Sequence, residues 1–272
     1  MTAVSWPDSA HQGWRIVRLG AIDSTNEEGR RRVVTGDADR TWIVAEEQTA
    51  GRGRRGRAWI SPRGNLHASC VMIDPCSRAV GAQLGFVAGV ALARAARDLG
   101  ATEIGLKWPN DLMSHGAKCA GILVEGVALT GGRAACVVGV GVNCSQAPMG
   151  LGYATSCLTR AGGHKVDPSE VFGRLVQRFG EALEIWRAGE AFDRIRAAWL
   201  DCALGLGERI TIKNGTDQRE GMFEGIDATG RLLIRSERGV ETVEAADLWL
   251  MPGSGSPPRE VLSASHRPEG RV

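Results

Sequence analysis

Apolar and polar side chains alternate over Trp14-Arg15-Ile16-Val17-Arg18-Leu19, behind a polar lead-in at residues 1–13. That period is the one a half-buried strand leaves. Thr41-Trp42-Ile43-Val44-Ala45-Glu46 and the run from Leu66 to Ile73 read as two further strands. Between Gly81 and Gly100 the spacing changes. Leu84, Val87, Ala88, Ala91, Leu92, Ala95 and Leu99 recur at three and four, which predicts a buried helix with an alanine-rich stripe that ends at Gly100. A strand from Glu103 to Trp108 should stop at the turn Pro109-Asn110-Asp111, and another should run from Cys119 to Glu125, directly after Lys118. Gly131-Gly132 marks a reversal into a continuous apolar strand, Ala134 to Val142, which ends at Asn143. Asp167-Pro168-Ser169-Glu170 carries a helix start, with a cap, a proline in the first turn and a capping-box glutamate. Phe172, Leu175, Val176, Phe179, Leu183 and Trp186 would line that helix's inner face, and a second helix should follow from Phe192 to Ala203.

The pattern shortens after Gly205-Leu206-Gly207. Four brief β runs, at 210–212, 221–226, 232–234 and 240–243, are separated by Asn214-Gly215, Thr229-Gly230 and Arg238-Gly239. Short strands with glycine turns predict a small barrel. The expected organisation is an α+β domain over residues 1–203, a mixed β-sheet with helices packed on it. A small β-barrel follows over 204–252, and then a Gly-, Ser-, Pro- and charge-rich tail over 253–272 that should be disordered.

Composition narrows the classes. The chain has 272 residues, 43% hydrophobic and 24% charged, with a formal net charge of +2. These are values of a soluble globular protein, and the near-neutral balance excludes a bulk polyelectrolyte partner. The seven cysteines form no C-x-x-C pair and several lie inside apolar runs. That favours buried, reduced thiols in a cytoplasmic protein over a disulfide framework or a zinc site. The lead-in lacks the apolar core of a signal peptide, and no apolar run is expected to reach membrane-spanning length, so no membrane association is expected.

Against this background Gly51-Arg52-Gly53-Arg54-Arg55-Gly56-Arg57 stands out, with four arginines and three glycines in seven residues. Arginine supplies planar, permanently charged donors suited to phosphate and carboxylate, and glycine lets the backbone approach a ligand. The glycines also match the G-x-G-x-x-G fingerprint of dinucleotide folds, which needs a helix opening inside the motif. Pro62 leaves little room for one, so strand–loop–strand is the better reading. The phosphate-loop motif G-x-x-x-x-G-K-[ST] does not occur.

Further polar stretches fall mostly at the ends of predicted strands: Ser24-Thr25-Asn26, Gln48, Lys107-Trp108-Pro109-Asn110-Asp111 with Lys118, and Gly139 to Asn143. Together they offer cationic donors (Arg52, Arg54, Arg57, Lys107, Lys118) and neutral hydrogen-bonding groups (Ser24, Thr25, Gln48, Asn110, Asn143). The five histidines are scattered and read as ordinary surface or core residues. Asp111 is the one acid tied to the cations, as a metal ligand or as an ion-pair partner. Many cations with few acid–base candidates suit nucleotidyl transfer from ATP, where positioning and charge neutralisation carry the rate. The residues by themselves stop at a ligase-like or anion-binding site.

Taken in order, Asp23-Ser24-Thr25-Asn26, Gln48 through Arg57 with Trp59, Lys107 to Asp111, Lys118 to Glu125 and Gly139 to Asn143 resemble the biotin protein ligase family over roughly residues 14–145. The resemblance implies a class II synthetase-like catalytic domain followed by an SH3-like barrel. It implies that biotin and Mg-ATP give biotinyl-5′-AMP, which a lysine of a biotin carboxyl carrier protein or domain then attacks. By carry-over, Ser24, Thr25, Asn26, Gln48, Arg52, Gly53, Arg54 and Lys118 would bind biotin. Arg57, Trp59, Lys107, Asn110, Asp111 and Asn143 would serve the nucleotide. Lys118, Arg54 and Arg52 would be catalytic, and Asp111 would face Mg2+. Cys119 stands where the family more often has leucine. With the pattern starting by residue 14, the monofunctional type without an N-terminal DNA-binding domain is expected, with no DNA partner. The Arg/Gly stretch is expected to order over the ligand. The alternatives are a lipoate ligase of the same fold and, in another class, a nucleic-acid-binding basic arm. Strand edges near Leu123 or Ala134 to Val142 could pair with a second copy, as a homodimer, or with the acceptor.

Overall fold

The structure, a computed structural model, describes residues 10–11, 13–36, 38–214, 217–244 and 247–250. Eight strands form one mixed sheet: β1 (Ala10–His11), β2 (Trp14–Ile22), β3 (Thr41–Gln48), β4 (Leu66–Ile73), β5 (Ile104–Lys107), β6 (Asp111–Ser114), β7 (Ala117–Ala128) and β8 (Ala134–Val142). Their order is β1-β2-β3-β4-β8-β7-β6-β5. β2 and β3 run parallel, which requires a crossover, and helix α1 (Thr25–Thr35) supplies it. The other neighbouring pairs are antiparallel.

Strand alternation divides the sheet into two faces. On β8, Cys136, Val138, Val140 and Val142 belong to the large apolar core shared with α2 (Leu84–Asp98), α4 (Pro168–Trp186) and α5 (Phe192–Leu200). The predicted stripe of α2 is buried from Leu84 to Ala95, while Leu99, past the helix end, is partly buried, and Trp42 meets Phe172 and Phe179 edge-on at 5.7 and 5.4 Å. The foreseen capping box starts α4: Ser169 N–H donates to Asp167 Oδ1 at 2.8 Å, and Asp167 N–H to Glu170 Oε2 at 3.4 Å. On the opposite face, Ala135 and Val137 pack with Val33, Ile43 and Val71 beneath α1. Gly29 lets α1 lie close, because a Cβ there would stand 3.0 Å from Val137 and 3.1 Å from Val71. Beyond Val137 the same face of β8 carries Gly139 and Gly141, and the sheet is open.

Several expectations are corrected. Part of the lead-in is a strand, since β1 pairs with the start of β2. Asp111 opens β6 instead of closing a turn, and β6 and β7 form a hairpin through His115 and Gly116, both at positive φ (47° and 75°). Helix α3 (Leu158–Gly162) was not foreseen. Arg78–Asp98 is, against expectation, long and apolar enough to cross a membrane by length and composition, at 21 residues and mean hydropathy 1.5. It is the core helix with its leading turn, and 67% of its apolar window is buried inside the protein.

A second, antiparallel sheet contains β9 (Arg209–Asn214), β10 (Asp217–Ile226), β11 (Leu232–Ser236), β12 (Gly239–Val243) and β13 (Asp247–Leu250), ordered β12-β11-β10-β9-β13. It has one strand more than the periodicity suggested. Phe223, Ile226, Leu232 and Ile234 join the large core of the first sheet, so the two sheets share apolar packing. The segment between them pairs with β5: Leu106 N–H donates to Cys202 O at 2.7 Å and Leu204 N–H to Leu106 O at 2.9 Å. The expected tail at 253–272 lies outside the described residues. All seven cysteines are free, and Cys76 alone among them is more than marginally exposed.

Candidate active site

A cleft of about 770 Å³ opens on the α1 side of the sheet, beside the helix. Its floor is shaped by missing side chains. A Cβ on Gly139 would collide with the Asn26 carboxamide, and one on Gly141 with the Trp59 indole.

One wall is neutral and buried. α1 begins at the cleft, and the free N–H groups of its first turn need acceptors. Thr25 N–H and Oγ1 both donate to Gln48 Oε1, at 2.8 and 3.1 Å, and Gln48 Nε2 donates to Ser61 Oγ at 2.9 Å. Ser69 Oγ lies 2.7 Å from Thr25 Oγ1 and 2.6 Å from Asn26 Oδ1. Asn26 Nδ2 donates to Glu125 Oε2 at 2.7 Å. Ser24 caps α1 through its carbonyl, which accepts from Glu28 N–H at 3.0 Å, while its side chain makes no cap bond and borders the cleft.

The facing wall is charged. Lys118 Nζ stands 2.6 Å from Asp111 Oδ1, and Lys107 Nζ is 3.6 Å from Asp111 Oδ2. Lys118 also lies near two aromatic rings, 5.4 Å from the Trp59 centroid and 5.8 Å from that of Tyr153. Asn110 is clasped between strand and loop: its Nδ2 donates to Ile122 O at 2.7 Å and its Oδ1 accepts from Arg54 Nη1 at 3.2 Å. With both oxygens of Asp111 turned to ammonium groups, and no cluster of three acidic, His or Cys side chains among the described residues, this donor set does not fit a resident metal ion.

The Arg/Gly stretch folds back on itself across the mouth. Gly53 N–H donates to Arg57 O at 2.6 Å and Trp59 N–H to Gly51 O at 2.9 Å. Only a short 3₁₀ turn, Arg54–Gly56, lies inside it, so no dinucleotide-binding helix exists there. Gly51 is required by crowding, since a Cβ would be 2.5 Å from Trp59 O and 2.6 Å from Ser61 Oγ. Arg52 anchors the loop inward, 2.9 Å from Glu27 and 3.2 Å from Glu125. Burial alone would lower its pKa, but the two carboxylates raise it above the usual arginine value.

The cleft thus gathers Ser24, Thr25, Asn26, Gln48, Arg52, Gly53, Arg54, Arg57, Trp59, Lys107, Asn110, Asp111 and Lys118. Asn143 is not among its lining residues. It is buried behind Lys118, donating to Ser156 O at 3.0 Å and Lys118 O at 3.4 Å, and so braces that lysine's backbone. Sequence reasoning missed Glu27, Ser69 and Glu125, whose partners are distant in the chain. It also missed residues 151–154, a loop that lines the same cleft and brings the Tyr153 ring near Lys118. Burial first, then the Asp111 charge, raises the Tyr153 pKa. His67, read as an ordinary histidine, lines the cleft. It is 1% exposed, its Nε2–H donates to Pro62 O at 3.1 Å, and burial lowers its pKa, which favours the neutral ring.

Residues 21–143 match the biotin/lipoate A/B protein ligase family, and residues 205–248 match the biotin protein ligase C-terminal domain. A biotin–[acetyl-CoA-carboxylase] ligase of Paracoccus denitrificans is 39% identical over 244 residues, covering 85% of this chain and 98% of that one. The chain belongs to the biotin protein ligase family. The corresponding ligase of Mycobacterium tuberculosis is 33% identical, over 88% of this chain and 90% of that one. Biotin protein ligase from Aquifex aeolicus, in complex with biotin and ATP, superimposes with a TM-score of 0.73 at 27% identity, covering 86% and 97% of the two chains. As in the family, a mixed sheet with packed helices precedes a small SH3-like domain.

Proposed function

We propose that this chain is an ATP-dependent biotin–protein ligase. A biotin carboxylate oxygen attacks the α-phosphorus of ATP, the α–β anhydride breaks, and pyrophosphate leaves. The amine of an acceptor lysine then attacks the acyl carbonyl of biotinyl-5′-AMP. An amide forms, AMP departs and a proton is released. The observation that carries this reading is the meeting of two unlike walls at Lys118: a neutral, buried hydrogen-bonding wall and a cationic one, in a single cleft. The neutral wall (Ser24, Thr25, Asn26, Gln48) suits the uncharged ureido ring of biotin, with Gly53 bringing backbone close. Lys107, Arg57, Asn110, Asp111 and Trp59 suit the nucleotide, and Asn143 supports this side from behind. Lys118, Arg54 and Arg52 neutralise charge that grows between carboxylate and α-phosphate. No protein nucleophile is needed. Magnesium enters with the ATP phosphates as part of the substrate. The closed Arg/Gly loop keeps water from the adenylate.

The acceptor in this reading is the biotin carrier of an acetyl-CoA carboxylase, and DNA and membranes have no part. The reaction belongs in the cytoplasm. Ala134 to Val142 has no free edge, contrary to expectation, because β8 is paired with both β4 and β7. The strand edge near Leu123 offers the homodimer contact, and residues 1–203 and 204–252 act as catalytic and C-terminal units. Purified chain incubated with Mg-ATP, biotin and a carrier domain should add the mass of a biotinyl group to one carrier lysine. Pyrophosphate exchange should depend on biotin and not on lipoate. Lipoate-dependent exchange, or no mass gain, would overturn this reading.

A further inference from the structure

The turn that carries Lys107, Asn110 and Asp111 is held from three directions. β7 holds it through Ile122 N–H, which donates to Asn110 O at 2.9 Å, and the Arg/Gly loop through Arg54. The third holder comes from the C-terminal sheet. Trp108, 1% exposed, donates from Nε1 to Gly230 O at 3.0 Å. Gly230 sits in the turn between β10 and β11, at φ 89° and close against Phe86; a Cβ there would be 2.5 Å from that ring.

This turn is stiff. Asp227 Oδ1 accepts from Thr229 N–H and Oγ1, both at 2.8 Å, and from Arg231 N–H at 2.9 Å, while Oδ2 accepts from Arg231 Nε at 2.7 Å. Burial would raise the Asp227 pKa, yet these donors bring it down to about 2. The platform is stiff too, with Phe86 edge-on to Phe192 and Trp199 at 5.7 and 5.5 Å. On the other flank, the linker residues Cys202 and Leu204 pair with Leu106, one residue before Lys107, and a Cβ at Gly105 would meet Leu204 at 2.5 Å. The C-terminal sheet therefore holds Lys107 to Asp111 through Trp108, while the linker that leads into that sheet secures Leu106 beside it.

We infer that the β10–β11 turn is a positioning device for the nucleotide side of the cleft. Gly230 and Asp227 place the Trp108 indole, and Trp108 places Lys107, Asn110 and Asp111 against ATP. Trp108, Asp227 and Gly230 are positioning residues. This rests on the proposed ATP-dependent reaction.

The test uses the full chain and three variants: Trp108→Phe, which deletes the N–H; Asp227→Asn, which loosens the turn; and Gly230→Ala, which drives it off Phe86. Biotin affinity is measured alone by calorimetry, and the KM for ATP by biotin-dependent pyrophosphate exchange. Loss of one buried hydrogen bond predicts a rise in the ATP KM of about tenfold for Trp108→Phe and Gly230→Ala. A smaller rise is expected for Asp227→Asn, and biotin affinity should stay within about twofold of wild type in all three. Phe86→Leu added to Gly230→Ala makes room for the new methyl and should lower the ATP KM again. If Gly230→Ala does not fold, Trp108→Phe and Asp227→Asn decide. An unchanged ATP KM in those two, or biotin affinity falling in step with ATP affinity, overturns the inference while the proposed function stands. A wild-type chain without biotin-dependent exchange overturns both.

Discussion

On one side of the cleft, Ser24, Thr25, Asn26 and Ser69 are buried to within a few per cent, and the last three are bound to one another, to Gln48 and to Glu125. Across it, Lys107, Asp111, Lys118 and Arg52 keep 13–29% of their side-chain surface exposed and pair by charge. Neutral hydrogen bonds lose strength steeply with distance and angle, so the first wall selects a ligand by shape. Ion pairs tolerate displacement but weaken with salt, so the second wall can follow a charge that moves during the reaction. A cleft with both can hold one group still while it stabilises change in the next.

Removing Lys118 tests the charged wall most severely. Lys118→Ala should lower biotin-dependent pyrophosphate exchange by ~10²–10³, the usual loss when one preorganised electrostatic donor goes. Its melting temperature should stay within a few degrees of wild type. Activity within a few-fold of wild type would mean that the lysine only balances Asp111. Gly139→Ala tests the neutral wall, because the added methyl displaces Asn26. Overpacking of this kind should cost ~1–3 kcal/mol in urea unfolding and weaken biotin binding, with little dependence on salt. Undiminished biotin affinity would place the ligand elsewhere.

The smallest effect concerns His67, in the same floor. Its pKa is lower folded than unfolded, so below pH 6.5, where a free imidazole titrates, the unfolded chain takes up the proton first. The stability contribution is present above that pH and lost as pH falls toward the folded value. Unfolding midpoints measured from pH 7.5 downward should decline less steeply in His67→Asn. Parallel pH profiles would assign the slope to other groups.

Much of this could be read from the chain. Periodicity located the buried helix α2, the capped helix α4 and the central strands, because those signals are local. The five motif stretches located most of the cleft, since their residue types have few other uses together. Contacts made across the fold were not legible. Asn26 meets Glu125 from 99 positions away and Trp108 meets Gly230 from 122, and no local pattern encodes either pairing. β6 was hidden because Asp111 has turn chemistry although its backbone joins a hairpin. Tyr153 lies in a loop without periodicity. Asn143 ends a strand, as expected, but its carboxamide turns away from the cleft.

The bare stretch of β8 also limits how this protein could be made sturdier. Glycine inside a strand weakens it by roughly 0.5–1 kcal/mol relative to alanine, so an engineer seeking stability would fill such positions first. At Gly139 and Gly141 that route is closed, because the new methyl would take the space of Asn26 or Trp59. The strand must draw its strength from the reverse face, where Val138, Val140 and Val142 are buried in the helical layer. Improvements in heat tolerance should therefore be sought behind the sheet and not in the cleft.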